Sequence, residues 1–532
     1  MRDFHVYDTT LRDGAQQEGI NLSVTDKLAI ARLLDDLGVT HIEGGWPGAN
    51  PNDTEFFARA RTELDLRDAT LVAFGSTRKA GAHAATDPQV KALLDSGAPV
   101  ITLVAKSHVG HVQRALKTTP EENLEMIRDT VSHLVAQGRE VIVDAEHFFD
   151  GYLLDREYAL AAVRAAMEAG AELVALCDTN GGMLPGQVHD AVADVIAATG
   201  ARVGIHCHND TGCAVANSMA AVEAGATHVQ GTVNGYGERT GNADLITVVA
   251  NLQLKRGHEL VEPYQLQEAT RIAHAISEVT NFPPYSRQPY VGSGAFAHKA
   301  GLHASAIKVD PDLYQHIEPK DVGNDMRMLV SDMAGRASIE LKSRELGVDL
   351  DGDTETLSRV LARVKTLEQR GYTFDAADAS FEMLLRREVG EGAPDYAHIE
   401  SWRVITDARV GEGAEEEGEA LSEATVKVHA GGRRVVATGE GNGPVNALDH
   451  ALREALSVVY PEIERLELID YRVRILDAAH GTDATTRVLI ETSDATSSWT
   501  TIGVAPNIVE ASWQALREGM TYGLMRAGVP AR

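Results

Sequence analysis

Short apolar runs recur about every 30 residues through the first 255 positions: FHVYDTTL, THIEGG, TLVAFGS, VITLVAKS, EVIVDAEHF, ELVALCDT, RVGIHCHN and THVQGTVNG. Each precedes a segment whose apolar residues fall three and four apart, the period of an amphipathic helix. Segments such as TDKLAIARLLDDLG and TPEENLEMIRDTVSHLVAQG open on Thr, Asp or Pro and close on Gly, the residues that start and stop helices. Eight strand–helix units in about 255 residues predict an α/β (β/α)8 barrel of the TIM type. An open doubly wound sheet fits less well, because no G-x-G-x-x-G follows the first run.

The period stops after the eighth unit, so the barrel is expected over residues 1–260. Residues 261–390 read as helices with short connections, joined through the proline-rich NFPPYSRQPY, and predict a helical linker region. From 391 strands return. ATVKVHAGGRRVVATGEG reads as a hairpin leading into the helical GPVNALDHALREAL, and the segment from YRVRIL to ASWQALREGM repeats that order. Two copies of a strand-rich unit ending in a helix predict a C-terminal α+β domain over 391–532, with a regulatory or dimerisation role. The acidic, glycine-rich RVGEGAEEEGEALSEA (409–424) is expected to be a solvated loop.

Composition narrows the function. A net charge of −29 over 532 residues argues against a nucleic-acid partner, which needs clustered Lys and Arg. No apolar run reaches the ~18 residues of a membrane span and no charged-head leader is evident, so no membrane is expected. Three cysteines, Cys177, Cys207 and Cys213, form no disulfide framework and fit a reducing cytoplasm. The same acidity repels an anionic substrate unless cations are gathered at its site.

In a barrel of this kind the chemistry sits where strands end. Those ends carry Arg12 and Asp13, then Glu43, then Lys106 and His108, then Asp144 and Glu146, then Asp178 and Thr179, then His206 and His208, then Asn234 and Glu238. His206 and His208 stand two apart on a strand, so their side chains project to one face while Cys207 points away. A lone histidine in an apolar run is ordinarily a satisfied core residue; a pair on one face suggests a metal and needs a third ligand. Asp13 is the natural third, because two imidazoles and a carboxylate with open positions suit a divalent ion that also takes substrate oxygens. Arg12 beside it puts a permanent cation near such an oxygen.

Three ordered stretches, YDTTLRDGAQQEG (7–19), HCHND (206–210) and VNGYGERTGNADL (233–245), resemble the signatures of the isopropylmalate, homocitrate and citramalate synthase family. The likeness continues through FAHKAGLHASAI (296–307). DAEHFFDGY (144–152) and DVGNDMRMLVSDMAGRAS (321–338) resemble the long citramalate branch more than the isopropylmalate branch. The resemblance implies a cytoplasmic homodimer that condenses acetyl-CoA with a 2-oxo acid, pyruvate in the citramalate branch, at a divalent ion (Zn, Mn or Mg). It implies Asp13, His206 and His208 as metal ligands with Asn242 nearby, Arg12 on the keto oxygen, Thr179 on the substrate carboxylate, and Glu146 near the reacting carbons. His303, in GLHAS, corresponds to a linker histidine reaching over a barrel, with Tyr314 accompanying it. The C-terminal domain then senses an end-product amino acid, isoleucine for this branch. Isopropylmalate and homocitrate synthase activities, a lyase on the same barrel, and a non-catalytic sensor are the competing readings.

The chemistry explains the combination. A chelated 2-oxo acid is polarised, and Arg12 is placed to stabilise charge on the attacked oxygen. The acetyl-CoA methyl is a poor acid whose proton needs a positioned base, Glu146 or His303. The 2-oxo acid side chain is expected against inward residues of the early strands, Phe74, Leu103 and the region of Asp144.

Overall fold

The protein is described here from a computed structural model covering residues 4–331, 333–350, 352–390, 394–408, 420–476 and 484–532. It forms two compact units, Met1–Phe296 with Ile317–Met326, and Ala297–His316 with Arg327–Arg532.

The first unit is the expected barrel. Strands β1 (His5–Asp8), β2 (His41–Gly45), β3 (Thr70–Ser76), β4 (Val100–Lys106), β5 (Glu140–Glu146), β6 (Leu173–Asp178), β7 (Val203–Cys207) and β8 (His228–Gly231) close in sequence order. Alternation along each strand makes two separate cores. Tyr7, Val72, Val100, Ile142, Leu173 and Ala175 pack inside the barrel, where the Tyr7 hydroxyl donates to Glu43 Oε2 at 2.5 Å and lies 2.7 Å from Thr102 Oγ1. The opposite phase, including Ile101, Leu103 and Ala105 of β4, packs against the surrounding helices. Such side chains stabilise the fold by about 1.5–3 kcal/mol each when fully buried.

The helix starts and stops follow the local chemistry read above. In Val24–Leu37, Ser23 Oγ accepts from the Asp26 N–H at 3.2 Å and Asp26 returns the bond to Ser23 N, a capping box. Gly38 ends it at φ 83°, where a Cβ would collide with Gln265. Helix Ala269–Thr280 buries Ile272, Ala273 and Ile276 in the barrel's outer core.

At the N-terminal rim, away from the strand ends that carry the motifs, His5, His41 and His228 open β1, β2 and β8. The His5 and His41 rings lie 4.5 Å apart, and His228 Nδ1 is 3.4 Å from His5 Nδ1. Burial pushes all three down: His5 to about 4, His41 to about 3, with His228 well below the ordinary histidine value.

The second unit contains a small parallel pair, β9 (Ala297–His298) with β10 (Arg327–Met328), then helices including Thr354–Gln369 and Asp378–Val389. Two repeats follow. β11 (His398–Ala408), β12 (Ala420–Ala430) and β13 (Arg433–Gly441) precede helix Pro444–Ser457; β14 (Glu467–Ile475), β15 (Thr486–Ser493) and β16 (Ser498–Ala505) precede helix Ile508–Arg526. The β12–β13 hairpin turns on Gly431 and Gly432 at φ 55° and 71°, the positive values a two-residue turn requires. Of the acidic run expected as a loop, 409–419 lies outside the described residues. Residues 420–424 instead open β12, because Ser422 and Ala424 turn inward and are buried. The three cysteines are free, and among the described residues no helix is long and apolar enough to cross a membrane.

Candidate active site

Strands β1 and β7 neighbour β8 on its two sides, and their ends meet where β8 leaves the barrel. Asp13, in the turn after β1, is thereby brought to His206 on β7 and His208 just beyond it. His206 Nε2 is 3.3 Å and His208 Nε2 3.8 Å from Asp13 Oδ2, and one donor atom from each lies within 4.8 Å of the others. All three side chains are buried. Asp13 Oδ1, His208 Nδ1 and Asn242 Oδ1 are buried with no hydrogen-bond partner, so the donor set is under-satisfied by protein alone and suits a divalent cation. Burial works to raise the Asp13 carboxyl, but the Arg12 guanidinium and the two imidazoles outweigh it and hold it well below the usual carboxylate range.

A residue not singled out from the sequence sets the proton on His206. Gln230 Oε1 lies 3.0 Å from His206 Nδ1, while Gln230 Nε2 donates to Asp144 Oδ1 at 2.8 Å. An amide oxygen only accepts, so His206 carries a proton on Nδ1, which leaves Nε2, facing Asp13 at 3.3 Å, as the ring atom that would hold an ion. The available signal was a polar residue at an inward position of an apolar strand. Asp144 is fully buried and pushed up to about 7 by that burial and by Glu43.

Arg12 is fixed on three sides. Its Nε donates to Glu43 Oε1 at 2.5 Å, its Nη1 is 3.4 Å from Asp13 Oδ2, and its guanidinium lies 3.9 Å over the Phe74 ring. Burial opposes the charge, yet Glu43 and Asp13 keep Arg12 above the ordinary arginine value. Together these groups line a cavity of about 240 Å³ that also includes Glu146 and Thr179. Glu146 forms an ion pair with Lys106. Thr179 Oγ1 accepts from the His147 N–H at 2.9 Å, which leaves its own proton free for another acceptor. Arg239, missed in the sequence although it lies inside a quoted motif, holds Asp210 at 2.8 Å and donates to the Thr179 carbonyl at 2.9 Å.

One expected pocket residue is corrected. Leu103 faces the helix layer and is wholly buried there; its neighbour Val104, of opposite phase, lines the cavity with Phe74, Asp144 and Trp46. Asn242 bridges to His208 in backbone pairing and donates to the Tyr236 carbonyl at 2.9 Å. His303 and Tyr314 belong to the second unit, where their rings stack 4.1 Å apart.

Comparison with known proteins gives the chain's family. Residues 3–276 match the HMGL-like family, 290–372 the homocitrate synthase post-HMGL domain-like family, and 375–524 the LeuA allosteric (dimerisation) domain. An (R)-citramalate synthase of Streptomyces coelicolor is 67% identical over 99% of this chain and 97% of its own length. One from Synechocystis is 49% identical over 98% and 96%. A probable 2-isopropylmalate synthase of Methanopyrus kandleri is 36% identical over 97% of both. By barrel, domain order and full-length similarity, the chain belongs to the (R)-citramalate synthase family.

Proposed function

We propose that this chain condenses acetyl-CoA with pyruvate and water to give (R)-citramalate and CoA, on the pyruvate route to isoleucine. The carrying observation is the buried Asp13–His206–His208 group with Arg12 fixed beside it in a cavity of about 240 Å³. A divalent ion (Zn, Mn or Mg) held by these three side chains, with Asn242 close to His208, would act as a Lewis acid toward the keto and carboxylate oxygens of a 2-oxo acid.

Arg12, locked by Glu43, stabilises negative charge developing on the keto oxygen without having to reorganise. The Thr179 hydroxyl donates to the substrate carboxylate. Phe74, Val104 and the Asp144 region surround the methyl group. Glu146, oriented by Lys106, and His303, stacked on Tyr314, are the two candidates to take the acetyl-CoA methyl proton. Hydrolysis of the acyl-CoA product releases CoA and drives the step forward.

The test is thiol release from acetyl-CoA with a panel of 2-oxo acids. One methyl group is worth roughly 10–200-fold in discrimination, so pyruvate should be preferred to glyoxylate by that factor, and the isopropyl group of 2-oxoisovalerate should be excluded by overlap with Phe74, Val104 and Trp46. A higher kcat/KM with 2-oxoisovalerate or 2-oxoglutarate would move the chain to the isopropylmalate or homocitrate reaction.

The C-terminal domain is proposed to bind isoleucine and to support a cytoplasmic homodimer. A cavity of about 650 Å³ between helix Pro444–Ser457 and β14 sets an apolar wall of Leu468 and Tyr471 beside the Asp449–Arg453 ion pair of 2.8 Å, a surface suited to an amino acid. Isoleucine should inhibit thiol release and give heat in calorimetry; absence of both at millimolar levels would leave dimerisation as the domain's role.

A further inference from the structure

Three helices of the second unit each turn an arginine toward one cavity of about 360 Å³: Arg363 from Thr354–Gln369, Arg387 from Asp378–Val389 and Arg517 from Ile508–Arg526. Helical spacing makes the convergence possible. Leu384 stands one turn from Arg387 on the same face, and Leu384 with Ile502 of β16 supplies an apolar wall.

The charges there do not balance. Glu518 accepts from Ser380 Oγ at 2.5 Å and lies 3.4 Å from the Arg387 guanidinium. The other carboxylate at the cavity, Glu388, is taken by Arg359 at 3.3 Å. Arg363 and Arg517 form no ion pair among the described residues. Three guanidiniums thus meet there beside two carboxylates, one of which is held by Arg359, on a chain whose net charge is −29. Arg387 and Arg517 also wall a second cavity of about 220 Å³, and both residues are exposed.

We propose that this cavity is a binding site for a small organic dianion, a dicarboxylate or a phosphate monoester. Its oxygens sit on the forks of Arg363 and Arg517, with Arg387 between, and its short carbon body lies on Leu384 and Ile502. Guanidiniums suit this ligand because each presents paired N–H donors matched to carboxylate or phosphate oxygens, and the volume falls within the usual range for small-molecule sites. The barrel residues play no part in it, and the proposal stands whatever 2-oxo acid the barrel takes.

The experiment is calorimetry on the full chain with malate, glycerol 3-phosphate and the monoanion lactate. The parent protein is compared with the double variant Arg363→Gln/Arg517→Gln. Both side chains are solvent-exposed at the cavity mouth, so the variant should fold, which its circular dichroism checks. The expected result is a heat of binding for at least one dianion, roughly tenfold or more weaker for lactate and for the double variant, with unchanged thiol release in the absence of the dianion. Binding of malate alone identifies a carboxylate site; binding of both dianions identifies a site that also takes phosphate. Equal binding to parent and double variant places the anion elsewhere and overturns the proposal, as does a lack of heat with either dianion up to about 10 mM.

Discussion

Replacing Gln230 by Leu tests whether the site depends on a residue that touches no substrate. The two side chains are close in volume, so packing inside the barrel is kept while two hydrogen bonds vanish: 3.0 Å to His206 Nδ1 and 2.8 Å to Asp144 Oδ1. His206, Gln230 and Asp144 are buried, so bulk solvent does not directly replace the lost partner. Each buried group left unsatisfied costs about 1–3 kcal/mol, or about 2–6 kcal/mol for the pair, which should lower the thermal midpoint of the barrel. A second effect falls on the metal. Without its acceptor the His206 ring is free to rotate or to hold its proton on Nε2, and loss of such an orienting partner typically weakens metal binding 10–100-fold, about 1.4–2.7 kcal/mol.

Titration with zinc or manganese against a chelator of known affinity reads the metal term directly, apart from activity. Gln230→Glu is the control. It keeps an acceptor oxygen for His206 but sets a second carboxyl against Asp144, whose carboxyl is already pushed up to about 7. The Glu variant should therefore keep most of the affinity that the Leu variant loses. A Leu variant that is destabilised yet binds metal within about twofold of the parent would refute the orienting role, leaving Gln230 as a core residue only.

Other consequences are as direct. His208→Ala should leave the barrel folded but without bound metal or thiol release, measured by elemental analysis and circular dichroism; full activity after chelator treatment would remove His208 from the ligand set. Leu103→Ala should cost about 2–5 kcal/mol of stability with unchanged preference among 2-oxo acids, whereas Val104→Ala should shift that preference, as kcat/KM ratios will show. The N-terminal-rim histidines have folded pKa values below the unfolded value of about 6.5. Above that pH neither state binds the proton; as pH falls below it the unfolded chain takes up protons that the fold refuses, so stability is lost on acidification. At pH 5 a neutral His41 costs about 2 kcal/mol relative to neutral pH, and His41→Gln should lower the midpoint less between pH 7 and 5 than the parent does. A parallel fall in both proteins would remove His41 from the account.

The parts of this site that could be read from sequence differ from the rest for a physical reason. His206, His208, Asp13 and Arg12 stand out because charged and ligating side chains are rare in buried strands, and closure of the barrel in sequence order gathers such strand ends on one rim. The choice between Leu103 and Val104 was not open to the same reasoning. VITLVAK is apolar in both phases, as a strand buried on both faces must be, so apolarity says nothing about which phase faces inward. Lys106 is the marker: it pairs with Glu146 at the cavity, and counting back by twos passes through Val104 and Thr102.

Strand β11 is hidden in the sequence for another reason. A period-two search fails on HIESWRVITDA because the β11–β12 register shifts between Ile399 and Ser401, moving the half-buried positions from Ile399 to Trp402 and Val404. The equivalent strand of the second repeat carries the same defect, shifting between Leu468 and Asp470 and continuing at Tyr471, with Val473 two residues beyond. The step of three across the bulge is thus shared by Ile399 and Trp402 and by Leu468 and Tyr471, all packed on the domain's core, whereas Val404 is half-buried and its counterpart Val473 exposed. A bulge that defeats the search for one strand becomes, in a duplicated domain, the pattern by which its twin can be found.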